Sequence, residues 1–475
     1  MSFGRLNMVE IKGSSWQQRY SATAVFTLRC KILDEPTMLG RLTTAIGQAD
    51  AHLGQIELID LEADHKIRDI TVYLEDKDRL DNLLESVNAL DGVDVLNVRD
   101  EILETHRRGS IQIVSTARLK SLTDLRMVYT PGVASVCQEV QKSKDAAWNF
   151  TGICDRIAIV TNGTAVLGLG DIGPLASLPV MEGKASILAE FVDVSGFPIL
   201  IDTKDPDVFV ETVVRIASGF GAIQLEDVAA PACFEIEEKL SRRLNVPVFH
   251  DDQHGTATIV LAALINALKQ TKKDPKKCSA VMLGAGAAGI AVSKMLLEYG
   301  IGDIVVYDSK GPLYRGRTEN MNPYKHGLAE ITNKNNQKGP LAEGFVGKDI
   351  FIGVSRPNMV SRQMVSSMAP DPIVLPLANP IGEITKEEAR RAGAALAADG
   401  RDINNALAYP GIFRGALDAR ATQINMPMKV AAARQLAQLA PDGSLLPDIL
   451  DREVHKKVAH AVAAAWNASN AAPPH

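Results

Sequence analysis

Two adjacent acids, Glu226 and Asp227, sit between an apolar run and the turn-forming stretch Val228-Ala229-Ala230-Pro231. Neighbouring carboxylates repel each other unless water or a cation neutralises them, and a hard divalent metal would do so. A second oxygen-rich stretch, His250-Asp251-Asp252-Gln253-His254-Gly255-Thr256, follows a strand ending at Phe249 and leads into a helix. Together the two stretches offer four carboxylates, a set suited to Mg²⁺ or Mn²⁺ with positions left open for substrate and water. His250 and His254 could instead suggest zinc, but no cysteine accompanies them. Acid pairs on loops are usually just solvated, so spacing alone leaves the metal and the solvated surface both open.

A glycine-rich turn supplies different chemistry. Gly284-Ala285-Gly286-Ala287-Ala288-Gly289 stands after an expected strand at 280–283 and before an expected helix through 290–299. In that context the glycines permit a tight turn, backbone approach to a pyrophosphate and close helix packing, while the helix N-terminus offers free N–H groups. Asp308 ends the next expected strand, 304–307, at the spacing of a ribose-binding acid. It would accept from a free 2′-hydroxyl and repel a 2′-phosphate, which favours NAD over NADP. Lys310, Arg315, Arg317 and Lys325 follow closely and could hold such a phosphate. A competing turn, Gly168-Leu169-Gly170-Asp171-Ile172-Gly173, follows an expected strand at 164–167. Pro174 and the embedded Asp171 suit a structured loop near a polar substrate better than a phosphate-cradling helix start.

These groups need a scaffold, and 475 residues exceed what one core usually organises, so two or three domains are expected. With 46% apolar and 23% charged residues the chain can build real cores. The formal charge of −6 is spread along the chain, leaving no footprint for nucleic acid or an anionic membrane. Five scattered cysteines without a CxxC pair fit a reducing cytoplasm, and the apolar stretch 258–268 is too short to span a bilayer.

The first hundred residues alternate short strands (24–30, 55–61, 69–74, 93–98) with helices (38–49, 77–90), a βαββαβ order that makes a ferredoxin-like sandwich. Asp34-Glu35-Pro36-Thr37-Met38-Leu39-Gly40 precedes the first helix, and with that order the region resembles an ACT domain, a class that often binds small effectors at paired interfaces. Where such domains usually carry glycine after the proline, this chain has Thr37. A dimerisation module without a ligand is the alternative. From about Leu125 longer strands and helices follow, the polar stretch 333–339 reads as a surface loop, and the chain from Asn467 reads as frayed.

Several long motifs agree in order with one family. Val128-Tyr129-Thr130-Pro131-Gly132-Val133, Val180-Met181-Glu182-Gly183-Lys184-Ala185, Leu225-Glu226-Asp227, the 250–256 run, Leu377-Ala378-Asn379-Pro380 and Asn404-Asn405-Ala406-Leu407-Ala408-Tyr409-Pro410-Gly411 resemble bacterial malic enzymes of the short type. The resemblance runs from about Arg118 to Ala433. It implies oxidative decarboxylation of (S)-malate to pyruvate and CO₂ with reduction of NAD, NADP being the alternative. It also implies Glu226, Asp227 and Asp252 as ligands of Mg²⁺ or Mn²⁺, Lys184 as general base and Tyr129 as general acid. Asn379 and Asn405 would hold substrate and the nicotinamide end. The base would have to be a neutral amine, so its pKa is expected below the usual lysine value of about 10.4. Asn162 stands where relatives usually carry aspartate, and 400–403 leads into the asparagine pair by a short approach.

The fold expected is α/β: an ACT-like domain at 20–100, a substrate domain at 101–255, a Rossmann doubly wound parallel-sheet domain at 256–421, and C-terminal helices and tail at 422–475. A homodimer or higher homo-oligomer is expected, and neither nucleic acid nor a membrane as partner.

Overall fold

Alternation drives the first strand. In β1 (Ala24–Leu33), Ala24, Phe26, Leu28, Cys30 and Ile32 are buried while Val25, Arg29, Lys31 and Leu33 are half-buried, with Thr27 the one buried residue of the other face. This is a computed structural model, and it describes residues 24–166 and 168–470. Residues 20–23 of the expected N-terminal domain therefore lie outside the described residues. Antiparallel to β1 run β3 (His65–Leu74) on one side and β4 (Val93–Asp100) on the other, with β2 (His52–Leu61) outside β3, giving the order β2-β3-β1-β4. Helices α1 (Met38–Gln48) and α2 (Leu80–Asn88) place Met38, Leu42, Ile46, Leu83 and Val87 in one core with the inward strand residues. The strands outrun their expected ends because ladder pairing, such as Leu33 with His65, carries polar residues along with the apolar ones. This unit ends at Ser110.

The second unit begins at Ile111. Its first segment holds α3 (Leu122–Val128), α4 (Val133–Lys142) and α5 (Ala146–Phe150), none of which has a fully buried residue. A parallel sheet follows in the order β6-β5-β7-β8, from β5 (Arg156–Thr161), β6 (Ser195–Leu200), β7 (Ala222–Leu225) and β8 (Val248–His250). Its helices are α6 (Pro174–Val192), α7 (Pro206–Ile216) and α8 (Ala232–Arg243). Next, α9 (Asp251–Gln270) leads to a six-stranded sheet of order β11-β10-β9-β12-β13-β14. Those strands are β9 (Ser279–Leu283), β10 (Asp303–Asp308), β11 (Gly311–Pro312), β12 (Ile350–Gly353), β13 (Ile373–Pro376) and β14 (Leu396–Ala397), all parallel except β11. Among its helices are α10 (Ala287–Tyr299) and α11 (Pro323–Ile331).

The six-stranded sheet is apolar on both faces, as a doubly wound sheet must be. Ala280 and Met282 of β9 enter the core shared with the four-stranded sheet, whereas Val281 and Leu283 enter a separate one with Tyr307, Phe345 and Phe351. The shared core is completed by α12 (Tyr409–Asp418), α13 (Met426–Leu439) and α14 (Arg452–Asn470). The boundary expected between Gly255 and Thr256 falls inside α9, a single helix that both sheets use.

Three local expectations need correction. The strand expected at 164–167 is a turn: Gly163 has a positive φ, Thr164 Oγ1 donates back to Asn162 Oδ1, and Val166 makes one isolated bridge to Gly170. Leu167 lies outside the described residues. The competing glycine turn does open a helix, α6, because Pro174 at its first position needs no N–H partner. Residues 467–470, expected to fray, are the last turn of α14, while 471–475 lie outside the described residues. The polar 333–339 stretch is a surface loop as expected, and it is anchored by buried Asn333, which donates to the carbonyls of Leu313 and Gln337.

Candidate active site and metal centre

Parallel pairing of β7 with both β5 and β8 brings the two acidic stretches together at the carboxyl ends of the strands, where open α/β sheets bind ligands. Glu226 and Asp227 follow β7 directly, and Asp251 and Asp252 form the first turn of α9, where the helix dipole favours negative charge. Glu226, Asp227 and Asp252 each offer a carboxylate oxygen, all within 4.8 Å of one another. Asp227 adopts a left-handed φ of 55°, and its amide donates to Asp252 Oδ2 at 2.9 Å.

The electrostatics of this cluster are unbalanced. Asp227 Oδ2 is buried with no hydrogen-bond partner among the described residues. Burial and the nearby carboxylates push Asp227 up to about 7 and Glu226 well above its ordinary value. Asp252 goes the other way, because His250 Nε2 at 3.2 Å outweighs its burial. Three acids without sulfur, one oxygen lacking any donor, form the donor set of a hard divalent cation. The residues present fit such an ion.

Lys184, halfway along α6, points its Nζ at Asp251 Oδ2 (2.5 Å) and Glu226 Oε1 (3.0 Å), and sits 4.7 Å above the Tyr409 ring. Asn405 Nδ2 donates to the same Asp251 oxygen at 2.9 Å. A lowered lysine pKa was expected, and the structure gives the opposite. Burial alone would lower it, but the carboxylates of Asp251 and Glu226 outweigh burial and hold Lys184 well above its usual value.

Asp251 was counted among the acids but assigned no role, yet it is the group that touches Lys184. The sequence did carry a signal. Gly255 lies one turn further along α9, and a Cβ there would stand 1.8 Å from Asp251 Oδ1, so only glycine leaves this carboxylate room. Tyr409, which donates to the Lys184 carbonyl at 3.3 Å, was also passed over. Tyr129 is not brought to the cluster: it caps α3, its residue is 67% exposed, and its side chain makes no hydrogen bond among the described residues.

The second glycine motif runs from β9 into α10 through tightly packed backbone. Gly284 has φ 119°, and a Cβ there would meet the Val354 carbonyl at 2.7 Å; at Gly289 it would meet the Gly284 carbonyl at 1.9 Å. At Gly286, which precedes α10, a Cβ would meet nothing within 4 Å. The first and third glycines thus serve packing, and the second leaves space at a helix N-terminus. Ala285 is buried, while Ala287 and Ala288 are half-buried in the first turn. Asn379 follows β13, where a Cβ on Gly400 would be 3.0 Å from its amide and one on Gly168 3.6 Å from its carbonyl. The glycine turn before α6 therefore lies against the loop after β13.

Asp308, at the end of β10, is already engaged. Its Oδ1 accepts from Arg317 Nη2 (2.6 Å) and the Lys310 amide (2.9 Å), and its Oδ2 from Lys325 Nζ (2.7 Å) and Asn320 Nδ2 (3.0 Å). Arg315 turns elsewhere, donating to the Glu330 carbonyl.

Comparison with known proteins agrees with this arrangement. Residues 108–241 match the malic enzyme N-terminal domain and residues 253–403 the malic enzyme NAD binding domain. The NAD-dependent malic enzyme of Geobacillus stearothermophilus is 43% identical over 92% of this chain and 93% of its own, an extent that takes in much of the N-terminal unit. The bifunctional malic/malolactic enzyme of Bacillus subtilis is 46% identical over 78% of this chain and 92% of its own. The crystal structure of NAD-dependent malic enzyme from Thermotoga maritima superposes with a TM-score of 0.74 at 39% identity, covering 76% of this chain and 98% of that one. The chain belongs to the malic enzyme family.

Proposed function

We propose that the chain oxidises and decarboxylates (S)-malate to pyruvate and CO₂ with NAD as acceptor, NADP being the weaker alternative. The observation that carries this reading is the Lys184 ammonium held between Asp251 and Glu226, an acid of the three-carboxylate cluster, at the carboxyl ends of the strands. Glu226, Asp227 and Asp252 would hold Mg²⁺ or Mn²⁺. When bound, the ion supplies positive charge to the substrate oxygen that passes from hydroxyl to carbonyl to enolate.

The chain's own residues handle the proton. Lys184 is the general base once it has handed its own proton to Asp251, whose oxygen lies 2.5 Å away, and the positive charge of an ion bound at Glu226 would favour that hand-over. The pair therefore acts as one proton-holding unit, with Asn405 fixing the carboxylate that Lys184 touches. Asn379 orients substrate and the nicotinamide end. Gly284 to Gly289 and the first turn of α10 hold the pyrophosphate, and Asp308 lies at the ribose end.

Tyr129 is the general acid that returns a proton to C3, and it works across a homodimer. In its own chain it is exposed among Ile113, Val114, Leu122, Met127 and Val128, apolar residues that stay uncovered on the segment before β5. A second copy seated on that segment would bury them and carry Tyr129 to a neighbouring cleft. The β2-β3-β1-β4 order of the N-terminal unit, with two helices sharing its core, supports the ACT-like reading, in which the unit serves as a pairing or small-effector module. A cytoplasmic site of action fits the five free cysteines.

The test is direct. Purified protein with malate, Mn²⁺ and NAD is followed at the nicotinamide absorbance; turnover supports the reading, and no signal with either dinucleotide overturns it.

A further inference from the structure

Glu237 on α8 is an acid that the proposed chemistry does not use. Its carboxylate is largely buried against the start of α9. Oε1 accepts the backbone N–H of His250 at 3.0 Å, Oε2 accepts Gln253 Nε2 at 3.0 Å, and His254 Nε2 lies 3.0 Å from Oε2 and 2.9 Å from Oε1. On the far side of the same ring, His254 Nδ1 is 3.2 Å from Lys429 Nζ, a buried lysine of α13. Because an ammonium can only donate, Nδ1 is the acceptor and Nε2–H donates to Glu237. Lys429, His254 and Glu237 thus form a chain whose end charges balance, and the donors of His250, Gln253 and His254 keep Glu237 ionised against its burial.

One carboxylate thereby fixes three of the five residues from His250 to His254. The two it leaves free are Asp251 and Asp252, the acids of the site. With Glu226 and Asp227 they make four carboxyl groups facing the Lys184 ammonium and the His250 ring, and before a cation binds, this crowding of acids works against the first turn of α9. Charge-assisted hydrogen bonds from the opposite side are the counterweight. We propose that Glu237 is a positioning residue for the divalent cation, pinning the 250–254 run so that Asp252 is presented beside Glu226 and Asp227 before the ion arrives.

This inference rests on the metal reading of those three acids, so the experiment separates the two. Mn²⁺ is titrated calorimetrically into metal-free wild type and Glu237→Gln, and NADH binding is read by its fluorescence. The amide is nearly isosteric but sets its Nε2 against the donors of Gln253 and His254. The expected result is Mn²⁺ binding weakened about 10- to 100-fold, unchanged NADH affinity, and kcat restored at saturating Mn²⁺. Wild type that takes up no Mn²⁺ overturns the metal reading and this inference with it. Wild type that binds while the variant stays within about twofold of it, or loses Mn²⁺ and NADH affinity in step, overturns the inference alone. Should Glu237→Gln fail to fold, Gln253→Ala, which removes one of the three contacts, decides: weaker Mn²⁺ binding upholds the inference and unchanged binding rejects it.

Discussion

Asp227 and Asp308 are both acids at the carboxyl ends of parallel strands, both largely withdrawn from water, and they are opposites. Asp308 accepts four hydrogen bonds, two of them from the buried cations Arg317 and Lys325. Asp227 has an oxygen with no donor and two carboxylates for neighbours. The consequence is electrostatic: Asp308 is held below its ordinary pKa, the two cations overcoming its burial, while burial lifts Asp227 to about 7. A buried acid that its own fold satisfies holds structure in place, here clamping the loop between β10 and α11 at the proposed ribose end. One that the fold leaves unsatisfied is waiting for a ligand. Family membership brings a dinucleotide-binding domain, the proposed function adds a divalent cation, and the contrast says which acid is left to meet that cation.

Breaking each side of this contrast should have different results. The largest effect is on catalysis. Lys184→Ala removes the group that Asp251 and Glu226 hold, and kcat should fall by about 10² to 10⁴ with Mn²⁺ binding retained; unchanged turnover would rule Lys184 out as the base. Next is stability. Asp308→Asn leaves Arg317 and Lys325 buried without a counter-charge and should cost about 3–5 kcal/mol in denaturant unfolding. Asp227→Asn relieves repulsion, so the metal-free protein should unfold at the same or higher denaturant. If both variants are destabilised equally, the contrast fails.

Smaller effects sharpen it. Asn405→Ala deletes one donor to a charged oxygen of Asp251, worth about 1.5–3 kcal/mol, and should lower kcat roughly tenfold or somewhat more without loosening Mn²⁺. The subtlest effect is that of pH on the gap in Tm between Mn²⁺-loaded and metal-free protein. Asp227 titrates near 3.8 when unfolded and at about 7 when folded, so across that window the folded state holds the extra proton. Metal-free stability therefore falls as pH rises from about 4 to about 7, while the loaded form, its acids paired, is spared. The Tm gap should widen over that range and level off above it; a gap that narrows counts against the assignment.

Local signals in the sequence were enough for much of this. Adjacency made Glu226-Asp227 conspicuous, and the glycines of the Gly284 turn announce themselves because close backbone approach has a local signature. Period-two burial in β1 did the same for the first sheet. What stayed hidden depends on tertiary contact. Asp308 looked like a free ribose acceptor because its partners lie 9, 12 and 17 residues downstream in a loop whose path no local pattern specifies. Glu237 sits in Glu235-Ile236-Glu237-Glu238-Lys239, which reads as a solvated helix face; only the packing of α8 under α9 turns one of those acids inward. The raised pKa of Lys184 was missed for a related reason, since burial was foreseen and the second carboxylate, Asp251, was not.

Mn²⁺ titration of metal-free protein at pH 8, wild type beside Asp227→Asn, tests the centre of this picture most directly. Stoichiometric binding in the wild type and none in the variant is the expected outcome. A variant that binds Mn²⁺ as tightly as the wild type would show that the unsatisfied oxygen of Asp227 is not where the cation goes.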